Sequence, residues 1–311
     1  MDTIYSQNPW KRFRNFRSKH LLLTALLIPA CLALIVVYNP QHPFKLSSTQ
    51  RLPAETLWLN DYQVDIDALE VSGVTHNLSG ITWNTLSQTL FAVINGLNHI
   101  VELSPEGLLI RTIVLNGFKD VEAITWMGGN QFLVVDERRQ SIHQITIDSS
   151  THEIFFEQTP QITVGIQSGK NKGFEGIAWN PLNNQAFVVK ERDPMMLYEV
   201  RGFNENGLGN NIIINTTDTL NRTLSRSKDD LSGLHYHQLS GHLLVLSDET
   251  KRLTALSHDG QIISQMDLRT DAHNLKESVP QPEGVTMDDK GNIYIVSEPN
   301  LFYRFNKTNS G

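Results

Sequence analysis

Cys31 is the single cysteine in a chain of 311 residues. An intrachain disulfide and a cysteine-rich zinc site are therefore excluded. No G-x-S-x-G elbow occurs, so the usual frame of a serine hydrolase nucleophile is missing. No twelve-residue EF-hand loop occurs either. Positive charge is in short supply: the net charge is −7. Nucleic-acid binders usually carry a basic footprint, so no nucleic-acid partner is expected. With 40% hydrophobic and 19% charged residues, the composition is that of a globular chain rather than a disordered one.

Charge is also absent from one long stretch. Residues 21–38 read LLLTALLIPACLALIVVY, eighteen residues without a charged side chain. That length is at the lower edge of what spans a bilayer. Residues 1–20 hold five basic side chains and one acid, a head of +4 on a remainder of −11. A basic flank before an apolar span predicts a cytoplasmic N-terminus. The expected arrangement is a basic cytoplasmic segment over 1–20 and a single-pass signal anchor over 21–38. A proline-containing linker over 39–60 and a folded body over 61–306 follow. The body would then lie on the periplasmic side of a bacterial inner membrane. A cleaved signal peptide is the competing reading. Pro29 before Ala30-Cys31 and the apolar residues continuing past Cys31 speak against it.

The body repeats itself. A short phrase with a small residue at its centre recurs five times, with the small residue at Gly80, Ala123, Gly176, Gly233 and Gly284. The intervals are 43, 53, 57 and 51 residues. Each copy is followed by a compact apolar run, such as Phe91–Asn95, Phe132–Asp136 and Tyr294–Ser297, and then by a third strand-like segment. A fourth is legible at Leu109–Leu115, Glu153–Gln158, Ile212–Asn215 and Gln261–Leu268. Four strands per unit of about 50 residues predict an all-β fold, a β-propeller. Five blades are counted, with six as the alternative and a sandwich as the competing fold. The fifth unit lacks its outer strand, and Tyr62–Leu69, which alternates correctly, is expected to supply it and close the ring.

The residue before each small one should occupy the same place in every blade. These residues are Ser79, Glu122, Glu175, Ser232 and Glu283. Three glutamates converging at one mouth of a channel would raise one another's pKa. A bound hard cation would relieve that conflict, and all-oxygen ligands favour Ca²⁺. The competing reading is that these glutamates bond backbone or arginine and merely close the blades. Asp229 or Asp230 could stand in for the acid missing at Ser232. A second equivalent set is read at the ends of the second strands: Gly96, Glu137, Glu191, Asp248 and Glu298, with Arg138 and Arg192 beside two of them. Inter-blade ion pairs, or a shell that orients the inner carboxylates, are the two roles open to it.

Several phrases carry a resemblance. VVDERRQ (134–140), GFEGIAWNP (173–181), VVKERDP (188–194), DLSGLHY (230–236), LLVLSDET (243–250), PEGVTMDD (282–289) and IVSEPNLFYRF (295–305) resemble the SdiA-regulated bacterial family, over nearly the whole body. The resemblance implies a five-bladed propeller related to NHL repeats, with a bound calcium ion and no established activity. The Glu-Gly phrase also resembles the regucalcin and gluconolactonase propellers, where the acid or amide before such a glycine binds the metal. Carried over, that implies Glu122, Glu175 and Glu283 as ligands. Glu122 precedes Ala123 rather than glycine, and Ser79 and Ser232 depart further.

Two functions stay open from the sequence. One is a membrane-anchored binding or scaffold module for a protein, a glycan or a small molecule of the cell envelope. The other is a calcium-dependent hydrolase of lactonase or phosphoesterase type. His76, three residues before Ser79, is the best-placed histidine for the second, while His235 reads as an inner-strand packing residue.

Overall fold

The computed structural model describes residues 56–164, 173–192, 195–227 and 230–308. The segments 1–20 and 21–38, Cys31, most of the 39–60 linker and Asp229 lie outside the described residues. Among the described residues no helix is long and apolar enough to cross a membrane.

A strand buried on both faces must be apolar throughout, not alternating. The compact second phrases satisfy this, because each sheet packs against a neighbour on either side. In chain order, β1 (Tyr62–Glu70) precedes blade 1, which is β2 (Leu78–Asn84), β3 (Thr89–Ile94), β4 (His99–Leu103) and β5 (Leu109–Asn116). Blade 2 starts with β6 (Val121–Gly128), β7 (Gln131–Asp136) and β8 (Ser141–Thr146). After β9 (Glu153–Phe155) it is completed by β10 (Gln161–Thr163). Blade 3 is β11 (Phe174–Asn180), β12 (Gln185–Lys190), β13 (Met196–Asn204) and β14 (Gly207–Thr216). The helix α1 (Asp218–Ser227) leads to blade 4, β15 (Gly233–His237), β16 (His242–Ser247), β17 (Arg252–Leu256) and β18 (Ile262–Asp267). Blade 5 is β19 (Gln281–Met287), β20 (Ile293–Glu298) and β21 (Leu301–Lys307), with β1 as its outer strand.

The propeller therefore has five blades, and the ring closes as expected from Tyr62–Leu69. β1 pairs antiparallel with β21 from Tyr62↔Lys307 to Glu70↔Leu301. Arg304 reinforces the seam: its Nη2 donates to Asp65 Oδ2 at 2.6 Å, and its Nη1 donates to the Pro105 carbonyl of blade 1 at 3.1 Å. The packed body also reaches further back than Asp61. Leu57 and Leu59 are buried between blades 4 and 5, and the Leu59 N–H donates to Ser264 Oγ at 3.1 Å.

Two features differ from the sequence reading. Glu153–Phe155 is not the outer strand of blade 2. It joins blade 1, parallel to β5, with Val114↔Glu153 and Asn116↔Phe155 in register. The outer strand of blade 2 is Gln161–Thr163, paired with β8. The chain thus crosses from one blade edge to the next, and a short alternating segment carries no mark of which edge it will choose. The second feature is α1, whose Leu220 and Leu224 are buried between blades 3 and 4. Asn221 holds it to β13: its Oδ1 accepts the Leu197 N–H at 2.7 Å.

Five apolar clusters fill the five gaps between neighbouring blades. The inner strands β2, β6, β11, β15 and β19 neighbour one another in cyclic order around the axis. They come closest at the small residues. A Cβ on Gly80 would stand 2.6 Å from the Ala123 Cα, and one on Gly284 would stand 2.8 Å from the Ser79 carbonyl oxygen. Only a void of about 10 Å³ remains at this level of the axis. The channel is thus pinched into two separate mouths.

The pinch generates a prediction. Gly80→Ala pushes a methyl group into the backbone of the next blade, an overpacking that costs about 1–3 kcal/mol. Urea denaturation is expected to show a lower midpoint with an unchanged slope; an unchanged midpoint would refute the close-packed ring.

Candidate metal centre

The inner glutamates owe their direction to a backbone irregularity. In β6 the register passes from Val121↔Asp136 to Ala123↔Val135, leaving Glu122 as the extra residue of a bulge. The same shift falls at Phe174/Gly176 around Glu175 and at Pro282/Gly284 around Glu283. A bulge turns its side chain out of the regular alternation. In the first and fourth blades the equivalent residues tie inner strands together. Ser79 Oγ donates to the Glu122 carbonyl at 2.8 Å and to Glu122 Oε2 at 3.1 Å. Ser232 Oγ donates to the Pro282 carbonyl at 2.7 Å.

The three carboxyls feel one another. Burial first, then the charges of Glu137 and Asp120, push Glu122 up from 4.5 to about 8. Glu175 is raised well above the carboxylate range by burial and then by Glu122, Glu137, Glu191 and Glu283. Glu283 is pushed up to about 9 by burial and then by Asp248 and Glu298. Among the described residues no lysine or arginine forms an ion pair with any of the three.

The outer set behaves differently. Glu137 is buried, and its Oε1 accepts the Gly173 N–H at 2.8 Å. A Cβ at Gly173 would stand 2.3 Å from the Glu137 Cγ, so only glycine makes room for this carboxylate. Arg192 pairs with Glu191 at 2.5 Å and reaches across to Glu249 of blade 4 at 3.2 Å and Asp230 at 3.9 Å. Asp230 is buried and accepts from Ser247 Oγ at 2.6 Å. Asp248 pairs with Lys251. Glu298 is raised by burial and then by Asp248, and His76 lies near it. Arg138 pairs with Asp120 at 2.9 Å, within its own blade.

The register corrects one assignment. Leu78 pairs with Ile94, as Val121 pairs with Asp136. The blade 1 partner of Glu137 is therefore Asn95, not Gly96. The sequence misses it because the β2–β3 turn between Trp83 and Leu90 is one residue longer than the β6–β7 turn between Trp126 and Phe132, so Phe91 is not the counterpart of Phe132. Asn95 belongs to the site by contact: its Nδ2 donates to Glu122 Oε1, and its Oδ1 is buried without a partner. Asp120 was also missed. One oxygen from each of Asp120, Glu122 and Glu137 lies within 4.8 Å of the others. Its signal was available, since Asp120 stands before the inner phrase of blade 2 as Asp230 does in blade 4.

The donor chemistry fits a hard divalent cation. Every candidate ligand offers oxygen, and the orphaned Asn95 carbonyl oxygen is an unspent donor of the kind calcium accepts. If an ion is bound, Glu122, Asp120, Glu137 and Asn95 form the tightest group to hold it, with Glu175 and Glu283 contributing charge from the neighbouring blades.

A pH prediction follows for the chain kept in chelator. Glu122 and Glu283 hold protons up to about pH 8 and about pH 9 when folded, but lose them near 4.5 when unfolded. The folded state then binds more protons across that window, so stability falls as pH rises through it. Thermal melts are expected to show this decline, and to show less of it in Glu283→Gln. Equal slopes in the two proteins would contradict the placement.

Comparison with known proteins agrees with the fold. A calcium-binding protein, regucalcin from Agrobacterium tumefaciens strain C58, superimposes with a TM-score of 0.50 at 10% identity, over 77% of this chain and 94% of its own. A luciferin-regenerating enzyme matches with a TM-score of 0.48 at 14% identity, over 78% and 95%. A gluconolactonase from Xanthomonas campestris matches with a TM-score of 0.44 at 9% identity, over 78% and 96%. At such identities the likeness is one of fold. The family profile described as SdiA-regulated matches residues 54–306, and it carries the propeller from before its first strand to the last strand of the ring. With its five blades and its repeated inner phrase in place, the chain belongs to the SdiA-regulated family.

Proposed function

We propose that this protein is a calcium-binding propeller of the bacterial cell envelope, anchored in the inner membrane by residues 21–38, with the propeller on the periplasmic side. The observation that carries the calcium reading is the inner carboxyls, Glu122 buried and Glu175 and Glu283 half-buried, with no ion pair among the described residues and with the orphaned Asn95 oxygen beside Glu122. Like charges brought this close must take up protons or a cation. A bound Ca²⁺ supplies the counter-charge and locks the mouths of blades 1, 2, 3 and 5 to one another. The resulting rigid rim, edged by Arg138 and Arg192, is a platform for a protein, glycan or small-molecule partner of the envelope. The regucalcin neighbour, itself calcium-binding by description, supports the same reading.

Calorimetric titration of the full chain in detergent with Ca²⁺ is expected to show one binding event. It should tighten from about pH 6 to about pH 9, because protons and metal compete for the same oxygens. Glu175→Ala should weaken it strongly, and absence of binding in the native chain would end the proposal. The anchor is tested separately. Protease added to spheroplasts should digest the propeller, and full protection would place it on the cytoplasmic side.

A second reading, a calcium-dependent hydrolase, draws on His76. It is the histidine that lies close enough to the acidic mouth to influence Glu298, and its Nδ1 meets Thr75 Oγ1 at 2.7 Å. A proton-transfer group beside a metal is what such chemistry needs. Turnover of lactones or phosphate esters that disappears with chelator and in His76→Ala would replace the scaffold reading with this one.

A further inference from the structure

The other mouth of the pinched channel holds a cavity of about 620 Å³. This is within the size range of small-molecule sites. It is built by the repeat itself. Beyond the small residue, each inner strand presents a polar or small residue and then a large one. Thr82, Thr125, His235 and Thr286 lie deepest, and Trp83, Trp126, Trp179 and Tyr236 form the wall. The large residues are anchored in the gaps between blades. Trp83 stacks on Tyr294 at 6.1 Å, and Tyr236 stacks on Phe187 at 5.7 Å. The wall is therefore rigid before any ligand arrives, which lowers the ordering cost of binding.

The hydrogen-bond ledger of the cup is incomplete. Thr82 Oγ1 accepts the Trp126 N–H, and Thr286 Oγ1 accepts the Trp83 N–H, both at 3.0 Å. Those bonds use the acceptor side of each hydroxyl and leave the proton to donate. Trp83 Nε1 donates to Asp289 and Trp126 Nε1 to the Gly129 carbonyl. Among the described residues nothing bonds the Thr125 hydroxyl, the Trp179 Nε1–H or the His235 Nε2. His235 meets Thr286 Oγ1 only at 3.4 Å through Nδ1. Burial pulls the His235 pKa down to about 3, so its ring is neutral and offers one donor and one acceptor.

Charge narrows the ligand class. The deep part of the cup carries no ionised side chain. At the rim, Asp288 is committed to Asn292, Lys290 N–H and Tyr294 Oη, and Asp289 to Trp83, Thr85 and Gln88. The rim lysines are exposed to water. A charged group in the deep part of the cup would surrender hydration without gaining a counter-charge. A purely apolar ligand would strand the free hydroxyl, indole and imidazole groups. What remains is a neutral ring with hydroxyls on its edge and C–H groups on its faces. We propose that this cup binds a neutral mono- or disaccharide, at the end of the channel opposite the carboxylates.

The test uses the full chain in lipid nanodiscs. Three of the five tryptophans line the cup, so intrinsic fluorescence reports occupancy. Glucose, galactose, N-acetylglucosamine, maltose and cellobiose are titrated, with glucuronate as the charged control. A saturable change is expected with at least one neutral sugar and not with glucuronate. It should persist in chelator, which separates it from the calcium site. Thr125→Val and His235→Leu should each weaken it about tenfold, the effect of losing one hydrogen bond. Thr125→Ser, which keeps the hydroxyl, should retain it, so a folding defect is told apart from a lost contact. The proposal is overturned if no neutral sugar gives a saturable change. It is equally overturned if glucuronate binds as tightly, or if Thr125→Val and His235→Leu bind like the native chain.

Discussion

The approach of five inner strands to one axis is the constraint on which the rest of this molecule depends. At that level four strands have room only for hydrogen, supplied by Gly80, Gly176, Gly233 and Gly284, and one has room for the methyl group of Ala123. A residue with a larger side chain would collide with the backbone of the next blade. The pinch divides the axis into two compartments of different chemistry. One residue before it lie serines and glutamates; two and three residues after it lie threonines, a histidine and aromatic side chains.

The first compartment is held together by opposing forces. Strand bulges direct Glu122, Glu175 and Glu283 out of the regular alternation, where their charges repel. Ser79 and Ser232 counter this by bonding the backbone of the neighbouring blade. Arg192 and Lys251 pair with the outer Glu191 and Asp248, and Arg138 with Asp120, while among the described residues no ion pair reaches Glu122, Glu175 or Glu283. The outer pairs are half-exposed and contribute little to stability by themselves. Their effect is to leave the uncompensated charge concentrated at the centre, where a cation is most strongly attracted.

Much of this was legible before the fold was known. A repeat near 50 residues is read directly from spacing, and equivalent positions in a repeat must be equivalent in space. That reasoning places the three inner glutamates at one mouth and identifies the closing strand at Tyr62–Leu69. It fails where the repeat is imperfect. Gly96 reads as the partner of Glu137 when Phe91 is matched to Phe132, but the first turn of blade 1 is one residue longer than that of blade 2, and the side chain that arrives is Asn95. Glu153–Phe155 was given to blade 2 because order along the chain was read as order in space. Its three residues pair with blade 1 instead. Period alone carries no sign of α1, whereas Asp120 is legible only through its equivalence with Asp230.

The sequence by itself determined the number of blades, the small residues at the axis and the sign of the charge before them, because these follow from periodicity and residue type. Tertiary structure decided which carboxylates are neutralised, which amide oxygen is left unpaired and how the apolar wall of the second mouth is assembled. Those outcomes depend on contacts between blades tens to hundreds of residues apart. One extra residue in a single hairpin turn is enough to exchange a glycine for an asparagine at the site.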